Sequence, residues 1–321
     1  MNDKAKGYEP AFLGKNLKIS MPQLAASHQS DLVLLNSNRS VVLRYHHHSI
    51  VLSRKRKFPF FTAVNIDSTR FREINRNSLF PGGKDLWTID KRVQDFQWGP
   101  ELYSASGSDF DKGHLVKRED PQWGKDEKSA ADAARSTFYY TNCVPQLDDL
   151  NRKEWQYLEN YILKKESAPN RLRVSVFSGP VLADDDPVFV NPIKGMEVQI
   201  PVLFWKVVYF SGDGKNLYRV AFLMSQQKLL LQRRIVKKKE EELEAAVPKP
   251  ELFHDFEDAA IYQVNIRVIE QLTKLTFSDA HEPYKDNRAI KIILKQVEVG
   301  EFESFRGGNE LDFELGGLVL Q

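Results

Sequence analysis

The most chemically loaded residues of this chain stand in one tetrapeptide. Asp111-Lys112-Gly113-His114 sets a carboxylate, a cation, a glycine and an imidazole side by side. A buried charge must find a partner, so such a cluster sits uneasily in a core. The glycine permits a sharp turn or close backbone approach, and histidine exchanges a proton near neutral pH. In isolation the tetrapeptide reads as a polar turn with a surface histidine. Downstream, three polar residues stand out: Asn142, Asn151 and Glu159. Asn151, Trp155 and Glu159 are spaced i, i+4, i+8 and line one face of a helix. The rise from 151 to 159 is ~12 Å, so both cannot ligate one ion directly. Helical side chains lean toward the N-terminus, which lets Glu159 reach a metal-bound water while Asn151 holds the metal. Asn151 and Glu154 also fit a capping box, a reading compatible with the first. Asn142 alone reads as a turn residue before Pro145, and Glu159 alone as a solvated charge.

These residues need elements to position them. The clearest helix spans 151–165, with Trp155, Leu158 and Ile162 as its apolar face. A second covers 127–137. Strand patterns cover 40–45, 49–52, 58–66, 172–177, 202–210 and 217–224, the last two joined by a hairpin loop at 211–214. Residues 67–110 read mostly as loop, with ordered pieces around Trp87 and Phe96. A charge-rich helix is expected at 228–247 and a last helix at 258–274. The organisation expected is an N-terminal arm over 1–35, a domain over 36–280 and a tail over 281–321. His46, His47 and His48 fall within a strand pattern, where His46 and His48 would share a face and form a weak metal pair. Arg54-Lys55-Arg56-Lys57 marks a hairpin whose cations either meet phosphate or form a solvated turn.

Composition sets outer bounds. The chain has 321 residues, 41% hydrophobic and 28% charged, with a net charge of +2, ordinary for a globular protein. That charge is too small to argue nucleic-acid binding, so any basic surface must be local. A lone cysteine, Cys143, rules out an intramolecular disulfide. The first residues lack the apolar stretch of a signal peptide, and no run reaches the ~18 apolar residues of a membrane span. The chain as given reads as cytoplasmic, with export open if a leader has been removed.

Taken in order, Asp111-Lys112-Gly113-His114, Thr141-Asn142 with Pro145-Gln146, and Leu150-Asn151 with Trp155 and Leu158-Glu159 resemble the DNA/RNA non-specific endonuclease family. Further stretches share the likeness: Gly7 to Gly14, Phe61 to Asp67, Trp87 to Arg92 and Tyr262-Gln263-Val264, the last resembling the start of a late helix. The resemblance covers roughly 7–280. It implies an α+β fold, a mostly antiparallel sheet core with flanking helices and a ββα-metal active-site motif. It implies His114 as general base, Asn151 as the side chain on a divalent metal, Glu159 as holder of a metal-bound water, Asn142 as support and Asp111 as a structural start of the motif. Mg2+ is the implied ion, with Mn2+ as a substitute, and DNA and RNA are the implied substrates, cut to leave 5′-phosphate ends. Most members carry arginine where this chain has Lys112, and lysine lacks the bidentate fork. A second family arginine corresponds to either Lys84 or Arg76. The alternative is a catalytically weakened scaffold that binds nucleic acid or a partner, and a third reading is hydrolysis of another phosphodiester. Family members are often homodimers. A nuclease without sequence preference also endangers its host, so an inhibitor or an activating partner is expected.

Overall fold

The computed structural model describes residues 5–35, 39–148, 173–237, 257–286, 288–297, 312–316 and 318–319. The expected helix at 151–165, and with it Asn151 and Glu159, lies outside the described residues. So does 238–256.

The fold is α+β and is built on one antiparallel sheet. In chain order its elements are β1 (Val42–Arg44), β2 (His48–Leu52) and β3 (Pro59–Asp67). Then come β4 (Asp111–His114), α1 (Glu127–Arg135) and β5 (Cys143–Gln146). β6 (Arg173–Pro180), β7 (Leu203–Phe210), β8 (Tyr218–Ser225) and α2 (Gln227–Gln232) follow. β9 (Ile261–Val264), α3 (Ile266–Thr273) and β10 (Ile290–Lys291) come last. Eight of these strands form one sheet in the order β10-β9-β8-β7-β6-β3-β2-β1. β7 is central because Leu-Phe-Trp-Lys-Val-Val-Tyr-Phe is both β-prone and apolar on both faces, and a strand of that kind must be covered on both sides. Trp205, Val207 and Tyr209 are fully buried in it. The first residues pack into the same core through Tyr8, Phe12 and Ile19. Gly7 makes this entry possible. It sits at φ +75°, and a Cβ there would lie 2.4 Å from Ser49 Oγ, the atom that accepts from the Tyr8 N–H at 2.9 Å.

Several expectations are corrected. β1 stops at Arg44 and β2 resumes at His48, so His46 and His47 form the turn between them rather than strand positions. His47 takes φ +63° and stacks on Trp123 with ring centroids 3.5 Å apart. His48 stacks on Tyr45 and donates from Nδ1 to the His46 carbonyl. The alternation that would pair His46 with His48 on one face therefore does not apply.

The basic hairpin is a half-solvated turn, with Arg54 and Lys55 exposed and Arg56 and Lys57 partly buried. Asp31 binds its backbone at Lys55, and Arg56 turns inward to Asp186 at 2.6 Å. α2 ends at Gln232, where the expected helix would continue, because Val236–Lys237 pairs with Val188–Phe189. Tyr262-Gln263-Val264 belongs to strand β9, buried between β8 and β10, and the helix begins only after Asn265, whose side chain caps it.

β4 and β5 pair only with each other. This short antiparallel ribbon lies outside the main ladder and carries the Asp-Lys-Gly-His tetrapeptide.

Candidate functional site

The ribbon register is Asp111↔Gln146, Lys112↔Pro145, Gly113↔Val144 and His114↔Cys143. Side chains alternate along a strand, so Lys112 and His114 share one face and Asp111 the other. Gly113 is required by close packing. A Cβ there would lie 2.0 Å from Gln146 Oε1, and Gln146 is wholly buried.

Asn142 fixes the ribbon from its side. Its Oδ1 accepts from the Val116 N–H, and its Nδ2 donates to the carbonyls of Val116 and Thr137. The side chain is buried and its amide fully engaged, so its place is behind the site rather than in contact with a substrate. Thr141 is held as well. The Tyr45 hydroxyl donates to buried Asp90 at 2.6 Å and pairs with Thr141 Oγ1 at 2.7 Å. Asp90 in turn grips Arg92. Thr88 bridges the same stretch through backbone bonds with Phe138 and Tyr140. That bridge brings Trp87 to the histidine.

His114 lies between two aromatic walls, with ring centroids 4.5 Å from Trp87 and 4.9 Å from Phe138. Its Nε2 is buried and has no hydrogen-bond partner among the described residues. Burial first, and then the Arg76 charge, pull its pKa down from the usual 6.5 to about 3. Asp85 and Glu119 act in the opposite sense. The ring is therefore neutral at physiological pH, the two carboxylates offsetting only part of the effect of burial. Arg76 binds Asp85 side-on, its Nε and Nη2 donating to the two carboxylate oxygens. That bond, first, raises the Arg76 pKa. Glu119 is held by Lys117 and Arg118.

The remaining predicted residues fall as follows. Lys112 Nζ lies 5.7 Å over the Tyr103 ring. Asp111 is partly buried at the start of β4. Arg76 and Lys84 are both exposed; the Arg76 charge acts on His114, and Lys84 lies in the loop that follows. Trp87, Asp85, Glu119 and the Tyr45–Asp90 pair were not legible as site residues. For Trp87 and Asp90 the one signal was their place within the stretch from Trp87 to Arg92.

Among the described residues no group of three or more His, Cys, Asp or Glu side chains could hold a metal ion. A hard divalent ion that keeps most of its waters needs only one or two protein oxygens. The open bond at His114 Nε2 suits such a water.

A family model for the DNA/RNA non-specific endonucleases matches residues 31–283. An uncharacterized protein, y4fB, of Sinorhizobium fredii is 36% identical over 234 residues, 70% of this chain and 33% of its own length. A nuclease of Nostoc is 31% identical over 109 residues, 34% of each protein. Human mitochondrial endonuclease G is 28% identical over 149 residues, 42% of this chain and 48% of its own. The chain thus spans between a third and half of these relatives' lengths. A solved EndoG/EndoGI complex has a similar chain, with a TM-score of 0.49 and 18% identity over 74% of this chain and 84% of that one. The ordered motif, the ribbon that displays it and the family match over most of its length agree: the chain belongs to the DNA/RNA non-specific endonuclease family.

Proposed function

We propose that this protein is a Mg2+-dependent endonuclease that hydrolyses phosphodiester bonds of DNA and RNA with little sequence preference. The observation that carries the reading is the state of His114: neutral, walled by aromatic rings, with an unpartnered Nε2. A neutral imidazole beside an anionic phosphodiester takes a proton from the attacking water. Asp85 and Glu119 offset part of the cost that burial puts on the imidazolium. Asn151 would hold the metal and Glu159 a metal-bound water. A bound divalent ion supplies charge neutralisation at the phosphate and at the leaving 3′ oxygen, which leaves 5′-phosphate ends. Arg76, rather than Lys84, is the second cation, because its charge already acts at His114. Lys112 shares the His114 face and serves as a point charge for a phosphate oxygen. Contacts of this kind meet backbone rather than base edges and so carry little sequence information.

In this reading residues 36–280 form the nuclease domain. A homodimer and a controlling inhibitor or activator remain part of the proposal. Among the described residues no helix is long and apolar enough to cross a membrane.

The test is cleavage of supercoiled plasmid and of a structured RNA with Mg2+ and with EDTA. The wild type is expected to cut both only with metal, and His114→Ala to cut neither. Binding without cutting by the wild type would turn the reading to a weakened scaffold, and Lys112→Arg would then be the decisive variant.

A further inference from the structure

Between β3 and the His114 site the chain carries Arg70, Arg72 and Arg76. The proposed mechanism uses only the last. The segment that bears the other two is firmly held. The Arg72 N–H donates to the Gln122 carbonyl and the Gly124 N–H to the Arg70 carbonyl, with Phe71 bridging Trp123 between them. Gln122 Nε2 donates to the Arg72 carbonyl. Further along, Arg118 Nη1 donates to the Ile74 carbonyl and to Gln122 Oε1. The Arg118 charge acts on the His114 ring. The segment therefore meets the site at Arg76 and Ile74 and runs outward from it through Arg72 to Arg70.

Its two outer cations face solvent. Arg70 Nε donates to Asp67 Oδ2 at 2.7 Å, and its guanidinium carbon lies 4.5 Å from the centre of the Trp123 ring. Asp67 and Trp123 are buried, whereas the Arg70 side chain is 52% exposed. Buried groups thus fix one edge of an exposed fork. Arg72 is exposed as well. Among the described residues its guanidinium has no ion pair or hydrogen bond, and none ties it to Glu73 beside it. Arg76, Arg92, Arg118 and Arg135 nearby each bind a carboxylate, so Arg72 stands apart. At ~3.3 Å per residue of extended chain, Arg72 and Arg70 lie up to ~13 and ~20 Å from Arg76, a reach of several nucleotides.

We propose that Arg70 and Arg72 form a phosphate-binding strip: they hold backbone phosphates of a substrate strand several nucleotides away from the bond cut at His114. This rests on the reading of the protein as a nuclease of DNA and RNA. A guanidinium pairs with two phosphate oxygens at once, and Arg72 needs to give up no carboxylate to do so. Such contacts meet the backbone, so they add affinity without adding sequence preference.

The experiment uses the full chain in EDTA, which suspends cleavage in the nuclease reading, and follows a fluorescently labelled duplex by anisotropy at several salt concentrations. Each phosphate contact removed lowers the slope of log K against log salt by about 1. Arg72→Gln is expected to show that loss on unrelated sequences alike, and Arg70→Gln combined with it about twice that loss. Arg72→Lys, which keeps the charge, should keep the slope. The denaturation midpoint of Arg72→Gln should match wild type. With Mg2+, Arg72→Gln should raise KM for a long duplex and leave kcat unchanged. Cleavage of a dinucleotide, too short to reach the strip, should not change. A wild-type salt slope in the double variant would overturn the strip and leave the nuclease reading in place. A loss on the dinucleotide as large as that on the duplex would overturn it too, since the effect would then lie at the cleaved bond. Lowered slopes in the variants of a protein that cuts neither plasmid nor RNA would keep the strip and overturn the nuclease reading. Absence of duplex binding by the wild type would overturn both.

Discussion

Asn142 and Val116 are joined by a closed pair of hydrogen bonds, the Asn142 amide accepting at 3.0 Å from the Val116 N–H and donating at 2.9 Å to its carbonyl. Val116 lies two residues beyond His114, so this pair fixes the strand end that carries the imidazole. Asn142→Ala leaves a buried N–H and two carbonyls without partners and is expected to cost on the order of 3 kcal/mol. Asn142→Asp, which sets a carboxylate oxygen against two carbonyls, should cost no less. Urea denaturation midpoints measure this, and wild-type stability in either variant would remove the clamp from the account.

Gly113 leaves no room for a side chain. Gly113→Ala is expected to destabilise the protein by about 1–3 kcal/mol through overpacking against Gln146. Gln146→Ala in the same molecule should return part of that loss, giving a coupling in a double-mutant cycle. Strict additivity of the two changes would place the strain elsewhere.

Three imidazoles are held below their ordinary pKa of 6.5: His114 and His48 to about 3 and His47 to about 4, each chiefly by burial. The unfolded chain binds these protons first, so the stability they contribute is complete above about pH 6.5 and is lost as pH falls toward about 4 for His47 and about 3 for His48 and His114. Unfolding near pH 5 should take up to three protons, and His114→Ala should reduce that number by one. The slope of unfolding free energy against pH reads it directly. A flat stability between pH 7 and 5 would contradict the buried neutral rings.

Arg76 and Lys84 separate by their relation to His114. Removing a cation that stabilises charge in the transition state costs roughly 10²–10³ in kcat, and Arg76→Ala is expected to fall there. Lys84→Ala should stay within a few-fold of wild type, with any loss in KM. Steady-state cleavage of a short duplex at several salt concentrations distinguishes the two, and the reverse ranking would reassign the cation.

Cys143 is buried opposite His114, its pKa pushed up to about 12 by burial. A thiol so placed offers almost no thiolate at neutral pH. Labelling by a disulfide reagent should be absent in the folded protein and complete in urea. Rapid labelling under native conditions would show that the ribbon opens.

Much of this architecture was legible because its signals are local. The run at 202–210 is apolar on both faces and became the central strand, and the tetrapeptide at 111–114 stands on one short ribbon. Local signals also misled. Ile261 to Ile269 reads as one apolar stretch, and short runs do not separate strand from helix. The dividing mark was Asn265, a cap lying between them. The links that hold the site were illegible for a different reason. Tyr45 reaches Asp90 across 45 residues, and Arg233 reaches Asp109 across 124. No periodicity encodes contacts of that span, because only the finished sheet brings their elements together.

The ribbon that bears His114 shares no ladder with the eight-stranded sheet. It is tied to the sheet by side chains such as Asn142, Thr141 and Gln226, and by Leu115, Val116, Val144 and Leu147, which pack into the main core. Scaffold and ribbon thus share one unit of cooperativity: the ribbon cannot open without disturbing the core that the sheet also needs. Heat or denaturant would then extinguish cleavage in step with the bulk secondary-structure signal.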